Sequence, residues 1–274
     1  MKKVTVLGGS GFIGSHLSDY LSEMNYKVTI FDLKKSPWLK KGQKMIIGDT
    51  LNVKKLSLAI NGSDYVFNFA ALADMDSLKY RAIDTVRFNI LGTVNALEVS
   101  RKYKVKKFIH ASTIYANTEE GGFYGRSKKA AEDYVEEYQN RFNLKYSILR
   151  FGSIYGERAG SDNGIRKILE NILFRKKLIY KGTKNSIRSY IYVKDAVKLC
   201  FRSISEKYDN QYLTLTGEKK LKAKYLFNLF SKMFKISKKN IIFLKNKGHY
   251  DVRPTPFIPR IGRSLHPAKS NLKK

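Results

Sequence analysis

"VTVLGGSGFIGSHL", residues 4–17, decides the fold. A short β-rich run, Val4 to Leu7, ends in a turn that holds Gly8, Gly9, Gly11 and Gly14, and an apolar-periodic stretch begins inside that turn. Gly9-x-Gly11-x-x-Gly14 is the spacing at which glycines permit a tight turn, close approach of a pyrophosphate and close packing of helix on strand. The free N–H groups of the helix start then face the phosphates. A glycine turn that holds no ligand is the plain alternative. Its place between a strand and a helix, at the chain start, argues for a dinucleotide. Asp32 ends the second β-rich run, 18 residues after Gly14. A carboxylate there accepts hydrogen bonds from an adenosine ribose and repels a 2′-phosphate, which favours NAD over NADP. Lys34 and Lys35 stand close enough to weaken that discrimination.

The pattern repeats outward from this turn. "KVTVL" (3–7), "KVTIF" (27–31), "KMII" (44–47), "YVFNF" (65–69), "KFIHA" (107–111) and "KYSIL" (145–149) read as strands. Helical periodicity follows most of them, notably in "GFIGSHLSDYLSEM", "RFNILGTVNALEVSRKY" and "SKKAAEDYVEEYQNRF". Strand–helix–strand repetition of this length predicts an α/β fold, a doubly wound parallel sheet with helices on both faces. Residues 1–150 form that unit. Residues 151–274 are looser, with helices expected at about 163–176, 194–206 and 222–234 by the same periodicity. They read as elements returning to the sheet plus a smaller C-terminal substrate lobe. The end, "DVRPTPFIPRIGRSLHPAKSNLKK", carries four of the five prolines and reads as a loop or docking segment with a frayed tail.

Composition narrows the class. No apolar run nears the length of a membrane span, and the four apolar residues before the glycines are too few for a signal peptide. A single cysteine, Cys200, excludes an internal disulfide, so the expected compartment is the cytoplasm. His16, His110, His249 and His266 lie far apart without metal-ligand spacing, and no metal site is expected. The net charge is +30, from 53 basic and 23 acidic residues. Such an excess attracts nucleic acid, anionic lipid or an anionic metabolite. The lysines are spread along the chain with no long basic arm, which disfavours a nucleic-acid role.

The chemistry-bearing stretch is "EEGGFYGRSKKAAEDY", residues 119–134, with Tyr124 and Lys128 one helical turn apart. A solvated Tyr–Lys pair is the bland reading. The chemical reading is a phenol whose pKa a neighbouring ammonium lowers.

With these motifs in order, the chain resembles the extended short-chain dehydrogenase/reductase family, in its NAD-dependent epimerase/dehydratase branch. The resemblance covers about residues 3–200. "GGSGFIG" is similar to the phosphate loop, here Gly8, Gly11, Phe12, Ile13 and Gly14. "IGDTLN" resembles the segment that meets the adenine, here Asp49 and Thr50. "NFAALAD" resembles the strand end beside the cofactor, here Ala70 and Ala71. "FNILGTVNALEVS" carries the family's structural asparagine, here Asn89. "FYGRSKKAAE" matches Y-x-x-x-K, "LRFGSIYG" resembles L-R-x-x-N-x-Y-G, and "RSYIYVKDAV" resembles R-D-[FY]-I-H-V-x-D.

The resemblance implies a Rossmann-type fold, bound NAD, a nucleoside-diphosphate sugar as substrate and a homodimer. It implies that Tyr124 is the general acid/base and that Lys128 binds the nicotinamide ribose and, with the charge of oxidised nicotinamide, lowers the phenol's pKa. In "HASTIYANT" the gapless match gives Thr113 the catalytic hydroxyl, with Ser112 as fallback. Ser153 takes the place of an asparagine near the sugar, Arg188 that of a diphosphate-binding arginine, and Arg253 offers a weaker second clamp. Asp195 reads as a structural residue at a helix start.

Two departures matter. Dehydratases of the family place an Asp-Glu pair after the threonine, where this chain has Ile114 and Tyr115. Tyr124 also follows only eleven positions after Thr113, through a short "ANTEEGG" loop. Relatives usually continue into a final helix after the segment resembling "TPFIPRIG", and no such pattern is evident before Lys274. The expected function is nucleotide-sugar epimerisation with recycled NAD. An NAD(P)H-dependent reductase of a keto sugar or other carbonyl is the near alternative. An RNA-binding protein on a dehydrogenase scaffold is the distant one.

Overall fold

The computed structural model describes residues 1–118, 121–244 and the backbone of 263–265. In chain order the first part runs β1 (Lys3–Leu7), α1 (Phe12–Glu23), β2 (Lys27–Asp32), β3 (Lys44–Ile47), α2 (Val53–Ile60), β4 (Tyr65–Asn68), α3 (Ala82–Asp84), α4 (Gly92–Lys102), β5 (Lys107–Thr113), α5 (Gly122–Phe142) and β6 (Tyr146–Phe151). It continues with β7 (Ser153–Tyr155), α6 (Gly164–Arg175), β8 (Leu178–Tyr180), β9 (Ile187–Tyr192), α7 (Val193–Arg202), β10 (Gln211–Leu215), β11 (Lys220–Lys222), α8 (Ala223–Met233), β12 (Ile241–Phe243) and β13 (Arg263–Leu265). A π-helical stretch, Thr85–Leu91, joins α3 to α4.

Eight strands form one sheet in the order β13-β10-β6-β5-β4-β1-β2-β3. Every pair in it is parallel. The order reverses between β1 and β4, and an open α/β sheet binds its ligand in the crevice at such a switch point.

Period-two alternation sends side chains to two cores. Val4, Val6, Ile109, Ala111 and Leu149 pack with Leu17 of α1 and Leu199 of α7. Leu7, Phe108 and Ile148 point the other way, against Leu56, Leu97 and Val135 of α2, α4 and α5. Each fully buried side chain of this size contributes roughly 1.5–3 kcal/mol of transfer free energy.

A third cluster, around Ile168, Ile172, Leu178, Tyr180 and Phe227, holds the small lobe. That lobe is built from α6, α8, a three-stranded sheet β11-β9-β7 and a pair β12-β8. Asn163 starts α6 by accepting from the backbone N–H groups of Ile165 and Arg166 at 3.1 and 3.2 Å. Asp195 lies in the first turn of α7. Elements after residue 151 therefore serve both bodies, with α7, β10 and β13 returning to the large sheet. The proline-rich end, expected as loop and tail, contributes a strand: Arg263–Leu265 pairs in parallel with Leu213–Leu215. Three residues of edge strand carry no periodic signal long enough to read from sequence. No helix among the described residues is long and apolar enough to cross a membrane.

The glycine turn has the tightest packing near the switch point. Gly8 has φ +77° and lies against the chain after β4, where a Cβ would fall 2.7 Å from the Ala70 nitrogen. A Cβ on Gly14 would fall 2.2 Å from the Gly8 carbonyl oxygen. Gly14→Ala must push α1 off the turn, and the expected cost is about 1–3 kcal/mol, typical of overpacking. Thermal melting with and without NAD checks this. A wild-type melting temperature would show that α1 can shift freely.

Candidate active site

Two cavities of about 650 Å³ each open at the carboxyl ends of the strands. The loop after β4 lines both: Ala70, Ala71 and Leu72 face the first, Ala73 and Met75 the second.

The first cavity lies over the switch point. Gly8, Ser10 and Gly11 form its floor, beneath the start of α1, whose first turn holds no acidic residue. Asp32 lies on its rim, with Oδ2 accepting from Ser10 N at 3.0 Å and Oδ1 from Lys34 N at 3.3 Å. The carboxylate is thus held in place by backbone. Asp49 and Thr50 line the far wall. Lys34, Lys35 and Arg81 also line this cavity. Arg81 is paired with Asp84 at 2.7 Å.

Phe12, Ile13 and Gly14 do not line the cavity. Ile13 packs on the core, and Gly14 is the contact that lets α1 sit close. Asn89 does not line the cavity either and braces its wall from behind, the structural place the resemblance implies. It is fully buried, accepts from Leu72 N at 2.7 Å, and donates to Leu72 O at 3.0 Å and to Ser127 Oγ at 2.9 Å. Its side chain is spent on bracing the shared loop against α5.

The second cavity lies between the sheet and the small lobe. Thr113, Tyr124, Ser153 and Arg188 all line it. Ser112 does not: its hydroxyl donates to Glu132 Oε1 at 2.6 Å, in the protein interior. Of the two hydroxyls, only Thr113 faces the cavity with the phenol. Arg188 is buried, and its Nη1 donates to Ile187 O at 2.9 Å. Arg253 lies outside the described residues.

Sequence reasoning missed much of this wall. Lys167, Asn171 and Arg175 of α6 and Lys181 after β8 join Arg188 there, and no Asp or Glu lines the cavity among the described residues. The spacing 167, 171, 175 is a helical i, i+4 stripe, and it was the available signal. None of Lys167, Arg175 and Lys181 makes an ion pair among the described residues. Tyr115, in place of the dehydratases' glutamate, also lines the cavity, and Gly121 and Gly125 make room for its backbone.

The Tyr124–Lys128 pair behaves differently from expectation. Burial pushes the Tyr124 phenol up to about 12, and a hydrogen bond with Thr113 opposes this only in part. Lys128 is 3% exposed and lines neither cavity. Its Nζ donates to Ala111 O at 2.9 Å, and burial pulls its pKa down to about 8 against the opposing field of Glu132. Within the protein itself desolvation dominates the phenol and sends it upward; the expected lowering involves the charge of oxidised nicotinamide as well as that of Lys128.

The NAD dependent epimerase/dehydratase family matches residues 4–212. This chain belongs to that family. It is an enzyme of the NAD-dependent epimerase/dehydratase type, and the likeness extends through the fold. The UDP-glucose 4-epimerase of Thermotoga maritima, solved with UDP-glucose, superposes with a TM-score of 0.82 at 28% identity, over 96% of this chain and 89% of that one. The UDP-glucuronic acid 4-epimerase of Bacillus cereus, solved with UDP-glucuronic acid and NAD, gives a TM-score of 0.81 at 25% identity, over 91% and 88%. A dTDP-D-glucose 4,6-dehydratase of Dictyostelium discoideum is 30% identical over 72% of this chain and 54% of its own length.

Lys128 has a consequence for stability that needs no substrate. Its folded pKa of about 8 lies below the ordinary 10.5. Between those values the unfolded chain holds a proton that the folded chain has released, so this residue makes stability rise with pH across that window. Lys128→Met lacks this term. The stability difference between wild type and variant should shift in favour of the wild type by up to roughly 3 kcal/mol from pH 8 to 10.5, read by denaturant unfolding. A pH-independent difference would place the ammonium in a solvated site.

Proposed function

We propose that the protein is a nucleotide-sugar epimerase acting through NAD held in the first cavity. The observation that carries this is the juxtaposition of two unlike cavities along one loop. One has glycines, a helix start and a backbone-held Asp32. The other has the Tyr124 phenol, the Thr113 hydroxyl and four cations, with no carboxylate among the described residues that line it.

The residues present fit NAD. Gly8 and Gly11 leave room for the pyrophosphate at the start of α1, Asp32 accepts from the adenosine ribose, and Asp49 and Thr50 border the adenine. When bound, NAD supplies the hydride acceptor and, on return, the hydride donor.

Lys167, Arg175, Lys181 and Arg188 suit the diphosphate of a nucleoside-diphosphate sugar, arginine through its two-pronged fork. The relatives above act on UDP- and dTDP-linked sugars, which matches that charge. Thr113 Oγ1 hydrogen-bonds the reacting sugar oxygen. Tyr124 takes the proton from the sugar hydroxyl as it is oxidised and returns it after the keto sugar has turned within the cavity. Bringing the phenol from about 12 toward neutrality needs roughly 7 kcal/mol of favourable field, so the Lys128 ammonium must act together with charge in the cavity. Ile114 and Tyr115 stand where water elimination would need an acid and a base, which disfavours the dehydratase reaction.

Two measurements test this reading. UDP-glucose and UDP-glucuronic acid are each incubated with enzyme and NAD, and epimer formation is followed without net NADH production. Tyr124→Phe should cut turnover by about 10²–10⁴-fold and leave NAD binding intact, the usual loss for a general acid/base. Near-normal turnover in that variant would remove the mechanism, and stoichiometric consumption of NADH would make the protein a reductase. Separately, NAD should bind more tightly than NADP, and Asp32→Ala should narrow the gap. Equal affinities in the wild type would assign the rim to Lys34, Lys35 and Arg81.

A further inference from the structure

The Glu132–Arg150 pair lies outside both cavities, yet it is the most deeply buried ion pair among the described residues, with side chains 0% and 4% exposed. Glu132 Oε1 accepts from Ser112 Oγ at 2.6 Å and from Arg150 Nε at 2.8 Å, and Oε2 accepts from Arg150 Nη2 at 2.6 Å. Arg150 stands on β6 in register with Ser112 of β5. Its guanidinium lies 4.1 Å from the Tyr212 ring on β10. The amide of Asn117, turned so that its oxygen faces the guanidinium, accepts from Nη1 at 3.1 Å and Nη2 at 3.2 Å.

These contacts bracket the reactive hydroxyl. Ser112 precedes Thr113, and Asn117 ends the 3₁₀ turn, Ile114–Asn117, that follows it. Three successive residues of β5 meet α5: Ala111 O receives Lys128 Nζ, Ser112 binds Glu132, and Thr113 hydrogen-bonds with Tyr124. Tyr124, Lys128 and Glu132 lie at i, i+4 and i+8 on one helix face. A slip of α5 by one turn, about 5.4 Å, would strand a buried guanidinium without its carboxylate. A buried pair is weak glue but strongly penalises the wrong register.

We propose that the Glu132–Arg150 pair is a positioning device for the reaction, setting α5 against β5 and so placing the Tyr124 phenol beside the Thr113 hydroxyl. The inference rests on the reading of Tyr124 as the proton-transfer group. Glu132 has a second effect, since its carboxylate opposes the burial that lowers Lys128. The other titratable groups near Lys128 are Tyr124 on α5 and His110 on β5, and burial keeps His110 neutral. Arg150, from β6, offsets part of the carboxylate's field.

The test uses Glu132→Gln, Arg150→Met and the double variant Glu132→Met/Arg150→Leu, with Tyr124→Phe in parallel. Glu132→Gln should lower kcat on UDP-glucose or UDP-glucuronic acid by about 10- to 100-fold, the effect of a misplaced reacting group, with KM little changed. Calorimetric NAD titrations across pH should show affinity falling as Lys128 deprotonates, and in Glu132→Gln that midpoint should move down by about one pH unit. The double variant, which leaves no unpaired buried charge, should recover its melting temperature but not its kcat. A folded double variant with wild-type kcat, or a Glu132→Gln enzyme with unchanged kcat and midpoint, would overturn the inference while an inactive Tyr124→Phe left the reaction standing. An active Tyr124→Phe would instead remove the reaction first. If the single variants fail to fold, the double variant decides alone.

Discussion

Two stretches of backbone, the turn after β1 and the chain after β4, have to pass each other with nothing between them. Gly8 makes that approach, and a single added carbon would overlap the Ala70 nitrogen and the Phe69 carbonyl. Gly14 makes the complementary one, letting α1 rest on the Gly8 carbonyl. The strand order reverses at this crossing, so the helix starts diverge and leave a crevice above the sheet. Both cavities depend on it. The loop that Gly8 touches lines the cofactor cradle with its first residues and the reactive cavity with its later ones.

Burial sets the chemical state of the pair that the reaction needs. The phenol of Tyr124 and the ammonium of Lys128 are both pressed toward neutrality, one upward and one downward. A net charge of +30 acting alone would favour the phenolate and so lower Tyr124. It does not, because surface lysines are screened by water over about 8–10 Å, whereas desolvation acts on the buried group directly. The excess charge matters locally, where the small lobe turns Lys167, Arg175 and Lys181 onto a wall that has no carboxylate among the described residues.

The small lobe and the sheet divide the work by rigidity. Thr113 and Tyr124 sit on β5 and α5, both locked into the main core. The cations stand on α6, just after β8 and on β9, in the lobe held by a separate, smaller cluster. Reacting groups on the stiffer body and charge on the lobe is a sensible partition, because proton transfer tolerates less misplacement than attraction between charges.

The sequence by itself determined the large sheet. Alternation of period two in β1, β2 and β5 and periodic helices between them leave few topologies other than a doubly wound one, and the glycine spacing marks its switch point. It also marked the candidates, Tyr124, Lys128 and Asp32 by local spacing and Thr113 by resemblance to the family. Tertiary structure decided what spacing cannot encode. It separated Thr113 from Ser112, because the carboxylate that captures Ser112 lies twenty residues away on another element. It showed what Asn89 braces, through contacts with Leu72 and Ser127. It set the upward direction of the phenol in the protein itself, because desolvation depends on everything packed around the hydroxyl and not on the lysine four residues on. Periodicity reports which face of an element is buried, and only the fold reports against what.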